Sequence, residues 1–363
     1  MPRESAVERR ACLFRRAPLL ISYWDNVDLV FENYASGARI TAAPLTTQIL
    51  HFFDRWRSLD ALAAHLQEFT PASLRIAVGV LERRGLLQRA DRPGARRTPA
   101  SDGWTAWNPA AGFFHASTKD VRFERDHLAV ERRLRERARR LPLPVQFKRY
   151  RGAPQIELPK ARDDGEFPQT LVTRRTWRSF STRPVSKMDL STLLGLTWGV
   201  YGWIDLPGQG RLPMKTSPSG GARHPIEVYV LARRVDGVRP GLYHYAADRH
   251  RLERVRAGAS RRQIVKYLPT QTWFGTAAAV MFMTAVFART QWKYDFPRAY
   301  RVILAEAGHL CQTFCLTATW LGLAPFCTMA LADSVIERDL GIDGVTESVL
   351  YAAGVGSRPG PSR

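Results

Sequence analysis

Apolar and polar positions change their period several times along the chain, and each period predicts an element. Near the N-terminus, Ile21-Ser22-Tyr23-Trp24 and Leu29-Val30-Phe31-Glu32-Asn33-Tyr34 read as two short strands around a polar turn. Helical spacing follows over 45–56. Ser58 can accept from a free backbone N–H, which predicts the start of a second helix over 59–69. Thr70-Pro71 opens a third helix that carries Leu74, Val78 and Leu81 on one face and ends near Gly85. Leu86-Leu87 then reads as a short strand. Two strands, three short helices and a strand form a winged-helix pattern, expected over 18–90 behind an N-terminal arm at 1–17.

Polarity and turn formers then take over. Residues 88–103 hold Pro93, Gly94, Arg96, Arg97, Pro99, Ser101 and Gly103, a composition that predicts a linker, placed at 91–103. A second stretch, 141–168, is rich in proline and charge. Between the two, 120–140 predicts a charged helix of weak amphipathicity. From 170 onward the pattern is that of an α/β domain. Ser186 predicts the cap of a helix through Trp198, 227–232 a strand, Asp236-Gly237 a turn, and 242–245 the hairpin partner of that strand. The apolar run 277–288 is too short to cross a bilayer and reads as a buried central strand. Residues 298–321 predict a long apolar helix in which Ala305, Ala307, Gly308 and Ala318 allow close helix packing, as in a tight helical dimer core. Residues 349–355 predict a final strand. The expected fold is α+β: an α/β sandwich domain over 104–363, with 104–169 as its N-terminal extension, and a winged-helix-like domain before it.

Charge alters this picture less than its size suggests. The 363 residues carry a formal net charge of +21, almost all of the excess being arginine. That sign suits nucleic acid, an acidic membrane surface, an anionic cofactor or an acidic peptide. Nucleic acid is disfavoured because no basic stretch is interleaved with regularly spaced aromatics. Cys12, Cys311, Cys315 and Cys327 are too few for a disulfide framework. Cys311 and Cys315 share a helix face, but no CxxC pair or nearby histidine cluster completes a zinc site, so buried free thiols and no metal are expected. Residues 1–17 lack the apolar stretch of a signal peptide. A soluble, cytoplasmic protein with no membrane partner is the expectation.

Three segments can carry chemistry. Arg174, Arg175, Thr176 and Arg178, with Trp177, Ser179 and Phe180, place guanidinium groups and a hydroxyl where they can converge on a phosphate. Ser217-Pro218-Ser219-Gly220-Gly221-Ala222-Arg223-His224-Pro225 offers a Gly-Gly pair that lets backbone approach a flat ligand. Trp292-Lys293-Tyr294 sets an ammonium beside a phenol as an acid/base pair.

These segments recur in one order with Glu306-Ala307-Gly308-His309-x-x-Gln312, Leu321-Gly322-Leu323 and an upstream Phe114-His115-x-x-Thr118-Lys119. As an ordered set over about 105–358 they resemble the SagB/ThcOx-type dehydrogenases, a branch of the FMN-dependent nitroreductase superfamily. The resemblance implies a nitroreductase-like homodimer that binds FMN and oxidises azoline rings of a ribosomally made precursor peptide to thiazoles or oxazoles, after a cyclodehydratase. It implies that Arg174, Arg175 and Arg178 hold the phosphate and ring edge, with Thr176 keeping the hydroxyl of a serine often found there. Pro218, Ser219, Gly220, Gly221 and Gln312 would line the site, Met329 and Ala330 would approach the flavin through backbone, and Arg358 would reach the phosphate. Lys293 and Tyr294 match the branch's catalytic pair, and Thr313 departs from the asparagine common in related flavoproteins. For 18–90 the resemblance is to leader-recognition elements, with a docking extension or a DNA-binding winged helix as the rivals; His51, His65, Arg75, Arg83 and Arg84 form no clear recognition-helix pattern. A nicotinamide-dependent reductase and a non-catalytic peptide-binding protein remain the alternatives for the whole chain.

Overall fold

Two three-stranded sheets and three short helices make up the first part of the chain in a computed structural model, which describes residues 12–92, 104, 107–141, 146–148 and 156–360. Strand β1 (Leu13–Arg16) is the centre of one sheet, flanked by β5 (Arg57–Ser58) and β6 (Leu87–Arg89). An antiparallel meander of β2 (Leu20–Asp25), β3 (Asp28–Asn33) and β4 (Ala38–Thr41) makes the other. The three helices are α1 (Pro44–Phe52), α2 (Leu59–His65) and α3 (Pro71–Arg83). Ser58 and Thr70 cap the second and third as their sequence predicts, accepting from the N–H groups of Ala61 and Ser73. Leu74, Val78 and Leu81 bury with Phe14, Ile49, Phe53, Leu62 and Leu86 in a core of their own. Strands β1, β4 and β5 were not expected. Most of the linker predicted over 91–103, the arm at 1–11 and parts of 141–168 lie outside the described residues.

The chain divides into two units. One holds 1–119 and 291–300, the other 120–290 and 301–363. In the first unit, α4 (Asn108–Ser117) packs beside Trp104 and Tyr300. In the second, helix formation begins later than predicted: α5 (His127–Arg140) starts at an Asp126 cap, so 121–126 are not helical. Helices α6 (Glu166–Thr173) and α7 (Lys187–Trp198) follow, the latter capped by Ser186 as expected.

The second unit is organised by a six-stranded sheet. The hairpin of β7 (Gly202–Leu206) and β8 (Gly210–Met214) precedes it. The sheet contains β9 (Ile226–Ala232), β10 (Gly241–Ala246), β11 (Arg251–Ala257), β12 (Ala279–Val286), β13 (Leu323–Thr328) and β14 (Glu347–Ser357), in the order β11-β10-β9-β12-β14-β13. The apolar run at 277–288 is the interior strand β12, paired antiparallel to β9 and β14. Its residues Ala279 to Met283 and Ala285 have no exposed surface. Around the sheet run α8 (Arg261–Tyr267), α9 (Phe287–Gln291), the long α10 (Ala299–Trp320) and α11 (Asp333–Leu340). Leu231, Leu242, Ile264, Tyr267, Phe282, Phe326 and Ile336 form the core.

Strand β13 is absent from the sequence reading because Pro325 sits in its middle. A proline cannot donate to a ladder and is confined to edges and bulges, and β13 is the sheet's edge. The carbonyl of Pro325 still accepts, taking the N–H of Trp177 at 2.9 Å. This bond lays the arginine-rich segment along the sheet edge. Among the described residues no helix is long and apolar enough to cross a membrane.

Candidate active site

The best-built part of the candidate site is the loop joining β8 to β9. Gly221, Ala222 and His224 all have positive φ, at 62°, 55° and 44°. Such a turn is strained for side chains other than glycine and persists only where its surroundings hold it. Here α10 does so. The Ser219 hydroxyl donates to Glu306 Oε2 at 2.6 Å and accepts the His224 N–H at 2.9 Å. Ser217 is buried and shares a hydrogen bond with Thr313 at 2.8 Å. Thr313 also donates to the His309 carbonyl at 3.0 Å. Thr313 is therefore a clamp between loop and helix. A Cβ on Gly220 would stand 2.5 Å from Val302 Cγ1, so the loop backbone lies directly on the helix.

Charge behind the loop is arranged against burial. Glu306 is 3 % exposed, and burial pushes its carboxyl up to about 7 against the opposing pull of Ser219 and Lys215. Burial, with Lys215 adding to it, lowers His224 to about 4. His224 Nδ1 lies 3.9 Å from Glu306 Oε1, but a neutral imidazole makes this a polar contact and not an ion pair. Burial also lowers the Lys215 ammonium. Arg289 donates to the His224 carbonyl at 3.0 Å and to Glu227. Glu227 in turn binds His244 Nε2 at 3.0 Å. Hydrogen bonds to Glu227 and then Glu253 hold His244 up to about 9. Glu306, His224 and Lys215 carried no role in the sequence reading. The available signal was a carboxylate on the apolar stripe Ile303, Glu306, Ala307, Leu310.

The arginines have different employments. Arg174 is half-buried at the end of α6. Arg175 is exposed and folds back on the carbonyls of Val172 and Arg174, both at 2.8 Å. Arg178 is exposed and Thr176 half-buried. Arg358 donates to the carbonyls of Leu323 at 3.0 Å and Thr319 at 3.1 Å, with its guanidinium 5.6 Å from the Trp177 ring. It caps the C-terminal end of α10 with positive charge, a favourable use of the helix dipole. After β13, Met329 is 61 % exposed, and the Ala330 N–H donates to Thr328 Oγ1 at 3.0 Å. Gln312 and Pro218 are exposed.

Lys293 and Tyr294 belong to the other unit. They follow the short helix α9 in the segment 292–298. The Lys293 ammonium lies 5.7 Å from the Tyr294 ring centroid, within cation–π range. Phe296 packs edge-on to that ring at 5.8 Å, and Trp107 Nε1 donates to the Tyr294 carbonyl at 2.8 Å. His115, from the upstream motif, is buried in the same unit, bonded through Nδ1 to the Tyr300 hydroxyl at 2.8 Å and stacked on Trp104.

Residues 171–357 match the model of the nitroreductase family. The chain belongs to the nitroreductase family. It is 31% identical over 188 residues to MJ1384 of Methanocaldococcus jannaschii, assigned as a nitroreductase, covering 52% of this chain and 90% of that one. It is 33% identical to the trifolitoxin-processing protein TfxB of Rhizobium leguminosarum, over 41% of each chain. It is 28% identical to the microcin B17-processing protein McbC of Escherichia coli, over 46% of this chain and 61% of that one. The chain thus spans less than two thirds of both peptide-processing relatives. Among solved structures it matches the Escherichia coli microcin synthetase McbBCD complex with truncated pro-MccB17 bound, at 21% identity over 64% of this chain and 92% of that one, with a TM-score of 0.44.

Proposed function

We propose that this nitroreductase-family protein is an FMN-dependent dehydrogenase that oxidises azoline rings to azoles in a ribosomally made peptide. The observation that carries the reading is the Gly220–Gly221 loop locked onto α10 by Ser219–Glu306 and Ser217–Thr313, in a chain whose relatives TfxB and McbC process peptides by name.

A flavin mononucleotide asks for cations toward its phosphate and for backbone without side chains beside its ring. The residues present fit both needs. Arg174, Arg175 and Arg178 supply guanidinium groups in one segment, and Gly220 and Gly221 put no side chain on the loop. Arg174, Arg175, Thr176 and Arg178 would hold the phosphate end. Pro218, Ser219, Gly220, Gly221, Gln312, Met329 and Ala330 would surround the ring, and Arg358 would anchor the end of α10 beside them. Bound FMN supplies a two-electron acceptor. The chain's own task is to orient the peptide and move a proton. Tyr294, its oxygen held as the phenolate by the Lys293 ammonium, takes the acidic proton from the ring carbon alpha to the carbonyl and becomes the neutral phenol. Loss of that proton and of two electrons with a second hydrogen leaves an aromatic ring.

Tyr294→Phe and Lys293→Ala are each expected to reduce azoline turnover by about 100-fold or more, the usual scale of a positioned acid or base, while the flavin stays bound. The peptide is read by its mass loss of two hydrogens, and the released chromophore by its mass. Full activity in both variants would remove the assignment. A homodimer, a precursor-peptide partner and a cyclodehydratase acting first belong to the same proposal. For the peptide, the N-terminal unit offers a groove of about 560 Å³ lined by Arg15, Arg16, His51, Leu20 and Phe31, suited to an acidic leader segment. The match to nearly all of MJ1384 keeps a second reading, a nicotinamide-dependent reductase. Rapid bleaching of the flavin by NADH or NADPH would favour it.

A further inference from the structure

Three of the four cysteines converge, Cys327 joining the helical pair Cys311 and Cys315 from a distant strand. Cys311 and Cys315 lie one turn apart on α10 and are 3 % and 4 % exposed. Cys327, half-buried, comes from the edge strand β13. All three Sγ atoms lie within 4.8 Å of one another. The Tyr351 hydroxyl donates to Cys327 Sγ at 3.8 Å. Zinc–sulfur bonds of about 2.3 Å in a tetrahedral arrangement put sulfurs about 3.8 Å apart. The cluster therefore needs only small side-chain rotations to surround an ion.

A disulfide between Cys311 and Cys315 fits less well. Cysteines four apart on one helix point their Cβ atoms in parallel along the axis, farther apart than a disulfide's mean Cβ separation of about 3.8 Å. Charge favours a divalent ion over a monovalent one. Three thiolates around a divalent cation leave one negative charge, and Arg174 contributes positive potential at Cys315 and Cys327.

We propose that Cys311, Cys315 and Cys327 form a binding site for a divalent thiophilic cation of the zinc class, with a solvent oxygen as the fourth ligand. Binding forms three metal–sulfur bonds and releases the protons still held by the thiols to solvent. No electron is transferred. The ion ties β13, and so the segment carrying Met329 and Ala330, to α10. The site does not depend on the proposed function.

Cadmium is the probe, because thiolate-to-cadmium charge transfer gives an ultraviolet absorption. Cys12 is exposed and is the only other cysteine, so the Cys12→Ser protein contains no thiols outside the cluster. Titration of that reduced protein should give a band that saturates at one equivalent, and native mass spectrometry should show one ion per chain. Cys327→Ala in the same background should lose the band while circular dichroism shows that the fold is kept. A titration of Cys12→Ser without a saturable band overturns the proposal whatever the second variant does. So does a band that survives Cys327→Ala, or an intact mass two hydrogens short that marks a disulfide within the trio.

Discussion

At the scale of single residues, Glu306 has the clearest energetic signature. Its folded value near 7 stands above the ordinary 4.5. A raised carboxyl contributes stability that is complete below about 4.5 and is lost as pH climbs through about 7. The shift corresponds to about 3 kcal/mol. Glu306→Gln keeps an acceptor for Ser219 and removes the titration. The stability of the variant relative to wild type should therefore rise by about that amount between pH 4.5 and 7. Denaturant melts across the range test this, and a pH-independent difference would show that the carboxyl does not titrate there. His224, lowered to about 4, acts in the opposite sense. Its contribution is present above 6.5 and lost as pH falls toward 4, but it is common to both proteins and cancels in the difference.

Gly220 supplies a second test at this scale. Alanine there drives its Cβ into Val302, whose branched side chain has one preferred rotamer in a helix. Gly220→Ala should cost about 1–3 kcal/mol and lower the flavin retained on purification. Val302→Ala in the same chain should restore most of both. If the double variant is no better than the single one, the close approach is not what glycine provides.

Among the elements, the pairing of β13 with β14 depends on missing side chains. Phe326 pairs in register with Gly354, and a Cβ on Gly354 would clash with the edge of the Phe326 ring. That ring cannot retreat, because Phe274 stacks on it with centroids 3.7 Å apart. Gly354→Ala is expected to overpack the sheet and lower stability by about 1–3 kcal/mol, read as a drop in melting temperature. An unchanged melt would mean that the edge strand can shift outward at no cost. The sequence shows Gly354 and Gly356 but not the reason for them. The ring that each glycine makes room for comes from elsewhere in the chain, Phe326 at one and Phe180 at the other.

For the whole molecule, the net charge of +21 has a measurable consequence under the proposed function. Binding of an acidic precursor peptide should weaken steadily as salt rises, since exposed charges are screened beyond about 8 Å at physiological ionic strength. Fluorescence anisotropy of a labelled peptide checks this. Affinity that ignores salt would separate the charge from recognition.

What the sequence determined by itself is what neighbours along the chain decide. Ser58, Thr70 and Ser186 cap helices because the N–H groups they accept lie three residues away. Strand β12 was legible because burial on both faces writes an unbroken apolar run. The order of arginine cluster, Gly-Gly loop, Lys-Tyr pair and Gln-bearing helix identified the family for the same reason, being a linear pattern. Tertiary structure alone decided the rest. Ser219 meets Glu306 across 87 positions. Cys327 joins Cys311 and Cys315 from another element, and Pro325 stands in a strand because that strand became an edge. These partners are set by how α10 and the sheet pack. The burial that raises Glu306 and lowers His224 is likewise a property of the packed interior, which no local stretch of sequence contains.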